Sequence, residues 1–95
     1  MNNNIKTIAV CGAGGTMGAG IAIVAARAGY NTIAYDVSDE GLEGARSQTE
    51  GFFDKSVARG KMKQEDRDEA VGRLSGTTDL NVLAQADLVI EAVFE

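Results

Sequence analysis

The 95-residue chain has no histidine, no proline and no tryptophan, and Cys11 is its single cysteine. Without histidine, the commonest general acid–base side chain is missing. One cysteine excludes an intramolecular disulfide framework and suits a reducing compartment, so a cytoplasmic protein is expected. No cluster of cysteines and carboxylates has the spacing of a metal site, so no metal is expected. The lack of proline and of low-complexity tracts leaves nothing that reads as a linker, and residues 1–95 are read as one small domain. A net charge of −5 speaks against a nucleic-acid partner or an anionic membrane surface. No apolar run reaches the length of a membrane helix, and the start, Met-Asn-Asn-Asn-Ile-Lys, lacks the apolar core of a secretory signal.

What the chain does have is glycine, gathered after a short apolar run. From Ala9 it reads Ala-Val-Cys-Gly-Ala-Gly-Gly-Thr-Met-Gly-Ala-Gly, and a helical apolar pattern follows at once. A strand, a glycine turn and a helix in that order make the phosphate-cradling start of a dinucleotide-binding fold. Glycine serves where backbone approaches a pyrophosphate too closely for a Cβ, and the helix presents free N–H groups and its positive dipole end to the anion. The spacing is Gly12-x-x-Gly15-x-x-Gly18, one residue longer than the common Gly-x-Gly-x-x-Gly. Gly12 is assigned to the tight turn, Gly14 and Gly15 to the approach of the pyrophosphate, and Gly18 to close packing of the helix. Asp36 follows at the end of a second apolar run, where an acid reads the adenine ribose hydroxyls. A carboxylate there repels a 2′-phosphate, so NAD is expected over NADP. The plainer reading of Asp36 is an acid that helps start the next helix.

The rest of the chain supplies the frame. Residues 5–11 and 32–35 read as strands, and residues 17–28 as a helix of small residues stopped by Gly29. Ser38 caps a long helix with Asp39 and Glu40 in its first turn. Its apolar stripe is Leu42, Ala45, Thr49, Phe52, Phe53 and Val57, and Gly41, Gly44 and Gly51 weaken it by about 1 kcal/mol each relative to alanine. Arg59-Gly60-Lys61-Met62-Lys63 reads as a basic turn, a solvated feature with a secondary reading as a phosphate contact. Residues 64–74 read as a second, more polar helix. Gly76-Thr77-Thr78 leads into a third strand, residues 80–85 form one or two helical turns, and residues 88–93 are a fourth strand. The expected fold class is α/β: a Rossmann-like parallel sheet with a βαβ start, a helical hairpin insertion and two further strands, stopping partway. An uncovered fourth strand is an edge open to pairing, so self-association is expected. Met17 reads first as a gap-filling helix residue and Cys11 as a small buried hydrophobe. At the end of the fourth strand Glu95 reads as a cofactor-side residue and Glu91 as a structural acid.

The segments Thr16-Met17-Gly18-Ala19-Gly20-Ile21-Ala22, Ala28-Gly29-Tyr30, Tyr35-Asp36, Gly60-Lys61, Gly76-Thr77-Thr78-Asp79-Leu80 and residues 86–95 together resemble the N-terminal part of the L-3-hydroxyacyl-CoA dehydrogenases. The resemblance runs nearly end to end. It implies an oxidoreductase that passes hydride from the 3-hydroxyl carbon of an acyl-CoA to NAD. It further implies that Gly12, Ala13, Gly14, Gly15, Thr16, Met17 and Gly18 lie along the dinucleotide and that Asp36 holds the adenosine ribose. By the same resemblance Val93, Phe94 and Glu95 line the cofactor, and Arg59, Lys61 and Lys63 lie where the family touches coenzyme A. The family's loop reads Gly-Ala-Gly-x-Met-Gly, and this chain carries one extra glycine, which is expected to shift the loop and weaken binding. The family's catalytic histidine and its glutamate partner, its substrate-handling serine and asparagine, and its helical dimerisation domain all lie downstream of the matched region. No catalytic residue is therefore assigned, and the chain alone is expected to be inert. The readings set against this one are a free-standing nucleotide-binding or regulatory module, an NADPH-dependent reductase and a decayed scaffold.

Overall fold

The computed structural model describes residues 5–92. Strand β1 (Thr7–Cys11) leads through the glycine turn into helix α1 (Thr16–Arg27) and then β2 (Asn31–Tyr35). Helices α2 (Asp39–Ala58) and α3 (Gln64–Gly72) form a hairpin before β3 (Leu74–Thr77), and a 3₁₀ helix (Leu80–Gln85) leads to β4 (Leu88–Glu91). The four strands make one parallel sheet in the order β3-β2-β1-β4.

The two central strands carry the burial. Ile8, Ala9 and Val10 of β1 and Thr32, Ile33 and Ala34 of β2 are buried irrespective of which face they point to, as expected of parallel strands covered on both sides. Ile8, Val10 and Ala34 share a cluster with Ala22 and Ala25 of α1 and Ala45 of α2, so α1 and α2 lie on one face of the sheet. The small residues of α1 let it come close to that face. Gly29, with φ 105°, ends the helix in the left-handed conformation expected of it.

A second cluster ties the hairpin down. Phe53 of α2 is fully buried against Ala26 of α1 and Ala70 of α3. Arg67 of α3 reaches Asp54 of α2 at 2.9 Å and Asp68 at 3.1 Å. Exposed ion pairs of this kind contribute little, so the ring of Phe53 supplies most of the hairpin's attachment.

Three details depart from the periodicity. Leu74 begins β3 instead of ending α3, because its backbone pairs in register with Thr32. The third strand thus precedes Thr78 rather than following it. Phe52 is 42% exposed while Phe53 beside it is fully buried. A helix face of α2 wide enough for both rings would have to meet more than the small residues of α1 and α3.

β4 pairs with β1 alone among the described strands, and Leu88 and Val89 are 41% and 46% exposed. Its start is clipped by Asp87, whose carboxylate accepts from the N–H groups of Lys6 at 2.8 Å and Thr7 at 3.0 Å. Those two donors hold the Asp87 carboxyl below the ordinary aspartate range.

Candidate nucleotide-binding site

The strand register brings Cys11, Tyr35, Thr77 and Glu91 to one level at the carboxyl edge of the sheet. The chain leaves β1 toward β2 and β3, then crosses back to β4 on the other side. The reversal of strand order therefore falls between β1 and β4, and the turn that follows β1 stands above it. Ligands of open α/β sheets lie at that crevice.

The turn is held from below. The N–H groups of Gly12 and Ala13 both donate to the Tyr35 carbonyl, at 3.0 and 3.1 Å, and Gly15 N–H closes a turn on the Gly12 carbonyl at 3.2 Å. Gly12 adopts φ 78°, a conformation that only glycine reaches without strain. The turn spans residues 12–15, and α1 starts at Thr16. Gly18 still sits hard against the turn: a Cβ there would run into the Gly12 carbonyl oxygen and stand 2.8 Å from Ala13 Cα.

The start of α1 is open. Its N-cap is Gly15, with no side-chain cap and no acid in the first turn. Gly15, Thr16 and Met17 are exposed, and Met17 is 56% so. The first intrahelical bond recorded runs from Ala19 N–H to the Gly15 carbonyl. The N–H groups of Thr16, Met17 and Gly18 are thus the orphan donors of this helix. A cradle of glycines, unpaired N–H groups and the positive end of a helix dipole fits a pyrophosphate.

Asp36 completes the edge. Its carboxylate accepts from Gly14 N–H at 3.0 Å and from Ser38 N–H at 3.4 Å, which brings the end of β2 against the glycine turn. A Cβ on Gly14 would stand 2.6 Å from Asp36 Oδ2 and 2.9 Å from Gly41 Cα. The close approach that makes Gly14 a glycine is therefore made to Asp36 and the start of α2. Gly15 has only the Gly12 carbonyl near it, at 3.6 Å, and faces outward.

The remaining predicted residues are placed as follows. Val93, Phe94 and Glu95 lie outside the described residues. Arg59, Lys61 and Lys63 are exposed at the far end of the α2–α3 hairpin, and none of the ion pairs recorded among the described residues uses them. They are not brought to the glycine turn. Cys11 lies at the end of β1, where burial first and the Glu91 carboxylate second push its thiol up, away from the reactive thiolate. No group of three or more potential metal ligands occurs among the described residues. A groove of about 500 Å³ between α2 and β3, lined by Leu42, Ala45, Thr49 and Leu74, takes in no residue of the glycine turn. A phosphate site built from a helix end is an exposed row of donors, so the volume of that groove does not compete with it.

Comparison with known proteins agrees with this geometry. The profile of the family described as "3-hydroxyacyl-CoA dehydrogenase, NAD binding domain" matches residues 7–95. The chain is 46% identical over 92 residues to the 3-hydroxyadipyl-CoA dehydrogenase of Escherichia coli K12, covering 97% of this chain and 19% of that protein. It is 40% identical over 95 residues to a 3-hydroxybutyryl-CoA dehydrogenase of Mycobacterium tuberculosis, covering 100% of this chain and 33% of that protein. Among solved structures, a 3-hydroxybutyryl-CoA dehydrogenase from Escherichia coli K12 superposes with a TM-score of 0.93 at 45% identity, over 98% of this chain and 20% of that one. The chain thus spans between a fifth and a third of the length of these relatives. With a profile match over nearly its whole length, a parallel sheet of the Rossmann kind and an open helix start above the strand-order reversal, the chain belongs to the family of 3-hydroxyacyl-CoA dehydrogenase NAD-binding domains.

Proposed function

We propose that this chain is the cofactor-holding portion of an oxidoreductase that converts (3S)-3-hydroxyacyl-CoA to 3-oxoacyl-CoA. When bound, NAD supplies the hydride acceptor for the hydrogen on the substrate's C3. The residues of this chain bind and orient it. The N–H groups of Thr16, Met17 and Gly18 face the pyrophosphate, and the Asp36 carboxylate faces the adenosine ribose. The observation that carries this reading is the start of α1: a glycine N-cap, no acid, and a turn that leaves three donors unpaired. The charge of Asp36 supports NAD over its 2′-phosphorylated form.

Proton transfer from the 3-hydroxyl needs a base, and the sequence has no histidine. Cys11 is held protonated by its surroundings. No residue of this chain is assigned as that base, and the chain by itself is proposed to bind the dinucleotide without turning over substrate. Arg59, Lys61 and Lys63 form the cationic surface that meets the phosphates of the coenzyme A moiety. Their exposure and freedom from ion pairs support that role. The single cysteine supports a cytoplasmic protein, and the acyl-CoA dehydrogenase family supports a role in fatty acyl metabolism. A homo-oligomer is the proposed state; the exposure of Leu88 and Val89 on β4 supports self-association of the chain.

The test mixes the chain with NAD and (3S)-3-hydroxybutyryl-CoA and follows NADH formation, beside an equilibrium titration with acyl-CoA. No NADH is expected, while acyl-CoA binding is expected to weaken in a variant with Arg59, Lys61 and Lys63 all changed to glutamate. Formation of NADH by the purified chain overturns the assignment of catalysis to residues outside it. Unchanged acyl-CoA binding in the triple variant removes the coenzyme A role of the hairpin.

A further inference from the structure

We infer that Gly41, in the first turn of α2, is a positioning residue: with Gly14 it forms a seat without side chains that fixes the Asp36 carboxylate at the nucleotide edge. It thereby governs affinity and selectivity for the dinucleotide. The inference rests on the nucleotide reading above.

Helix α2 carries three glycines, Gly41, Gly44 and Gly51. Each costs helix stability, about 1 kcal/mol relative to alanine, so each invites the question of what it permits. Gly51 has nothing within 4 Å of where a Cβ would stand, and Gly44 meets only the Gly14 carbonyl oxygen at 4.0 Å. Both positions have room for a methyl group. Gly41 does not. A Cβ there would overlap Oδ1 and Cγ of Asp36 and stand 2.9 Å from its Oδ2. Gly14 borders the same carboxylate: a Cβ on it would stand 2.6 Å from Oδ2 and 2.9 Å from Gly41 Cα. The carboxylate thus packs against two glycines that also meet each other, one from the glycine turn and one from the next helix.

The seat also orients. Gly14 N–H binds Oδ2 at 3.0 Å and Ser38 N–H reaches Oδ1 at 3.4 Å, each oxygen taking one donor. A carboxylate accepts at about four lone-pair sites, so about two remain for a vicinal diol. Asp36 is half-buried, which leaves it open to such a ligand. A carboxylate already fixed loses less freedom when the diol arrives. Being fixed, it also cannot swing away from a 2′-phosphate, and so the seat sharpens discrimination against that group. Ser38, which gives the N–H, also caps α2 by accepting from Gly41 N–H at 3.0 Å, so one turn of helix builds both the cap and the seat.

The test is a double-mutant cycle on the 95-residue chain: Gly41→Ala, Asp36→Ala and both together, with Gly51→Ala as the control. Each is read by thermal melting and by calorimetric titration with NADH and NADPH. Gly51→Ala is expected to raise Tm and leave the NADH-to-NADPH ratio unchanged. Gly41→Ala is expected to weaken NADH about tenfold, to narrow the ratio and to give no rise in Tm. With Asp36 already changed to alanine, Gly41→Ala is expected to raise Tm as the control does, because the carboxylate that its Cβ would overlap is then gone. The inference is overturned if Gly41→Ala raises Tm as much as Gly51→Ala while NADH affinity stays within about twofold, or if its effect is the same in both backgrounds. Failure of the unaltered chain to bind either nucleotide refutes the nucleotide reading instead. The melting cycle then still decides the seat: coupling between Gly41 and Asp36 sustains it, and additivity removes it.

Discussion

The glycine turn before α1 packs against the first turn of α2, where a Gly14 Cβ would stand 2.9 Å from Gly41 Cα, and the two helices start in opposite ways. At α2, Ser38 accepts from Gly41 N–H, and Asp39 and Glu40 neutralise the positive end of the dipole. At α1, Gly15 stands at the cap position, no side chain reaches back and no acid follows. A helix that supplies its own cap and charge has little left to offer an anion; one that supplies neither offers donors and field together. The contrast supports α1 as the proposed phosphate site. Asp36 is turned toward the N–H groups of Gly14 and Ser38.

The largest effect should come from giving α1 the start that α2 has. Gly15 is in extended conformation, with φ −83° and ψ 164°, and has space around its Cα, so aspartate fits there. Gly15→Asp is expected to stabilise the fold by up to about 1 kcal/mol through the cap and the dipole. The same charge set against a pyrophosphate costs several kcal/mol, so NADH affinity should fall by about a hundredfold or more. Melting and titration moving in opposite directions would sharpen the comparison; a fall in both would break it. Gly18→Ala attacks the packing of α1 on its turn. It should cost about 1–3 kcal/mol by urea unfolding, because the added methyl meets backbone atoms of Gly12 and Ala13 and not the end of a flexible side chain. On the other helix, Ser38→Ala removes the cap and should cost about 1 kcal/mol, with a far smaller change in NADH affinity than Gly15→Asp produces.

The smallest effect concerns the far end of the strands. The carboxyl of Asp87 is held below its ordinary value of 3.8 by the N–H groups of Lys6 and Thr7. A depressed carboxylate stabilises the fold above the unfolded value and loses that contribution as pH falls through the folded one. Asp87→Ala should therefore lower Tm at neutral pH, with the difference shrinking below about pH 4 and vanishing in stronger acid. A difference that persists unchanged in acid would assign the loss to packing and not to the charge.

Much of this was legible in the chain, and the exceptions share a cause. The order of strands and helices, the glycine turn, the Ser38 cap and the stop at Gly29 follow from local chemistry, and each is present. The boundary at Leu74 was not legible, because an apolar residue after a polar helix continues a 3.6-residue pattern until a neighbouring strand claims its backbone. Phe52 and Phe53 are adjacent on one helix, and only the position of α1 and α3 decides which ring is buried. Gly41 reads from sequence as a flaw in a helix. Its neighbour, the Asp36 carboxylate, becomes apparent only when β2 and α2 are placed together. The Asp87 clip is likewise a contact across 80 residues that no local pattern announces.

The central claim is that the open start of α1 and the fixed carboxylate of Asp36 together hold NAD. It is tested most directly by calorimetric titration of the 95-residue chain with NADH beside NADPH. The account predicts one-to-one binding of NADH with clearly weaker binding of NADPH, despite the additional glycine in the turn. Equal affinity for the two, or no binding of either, would contradict it.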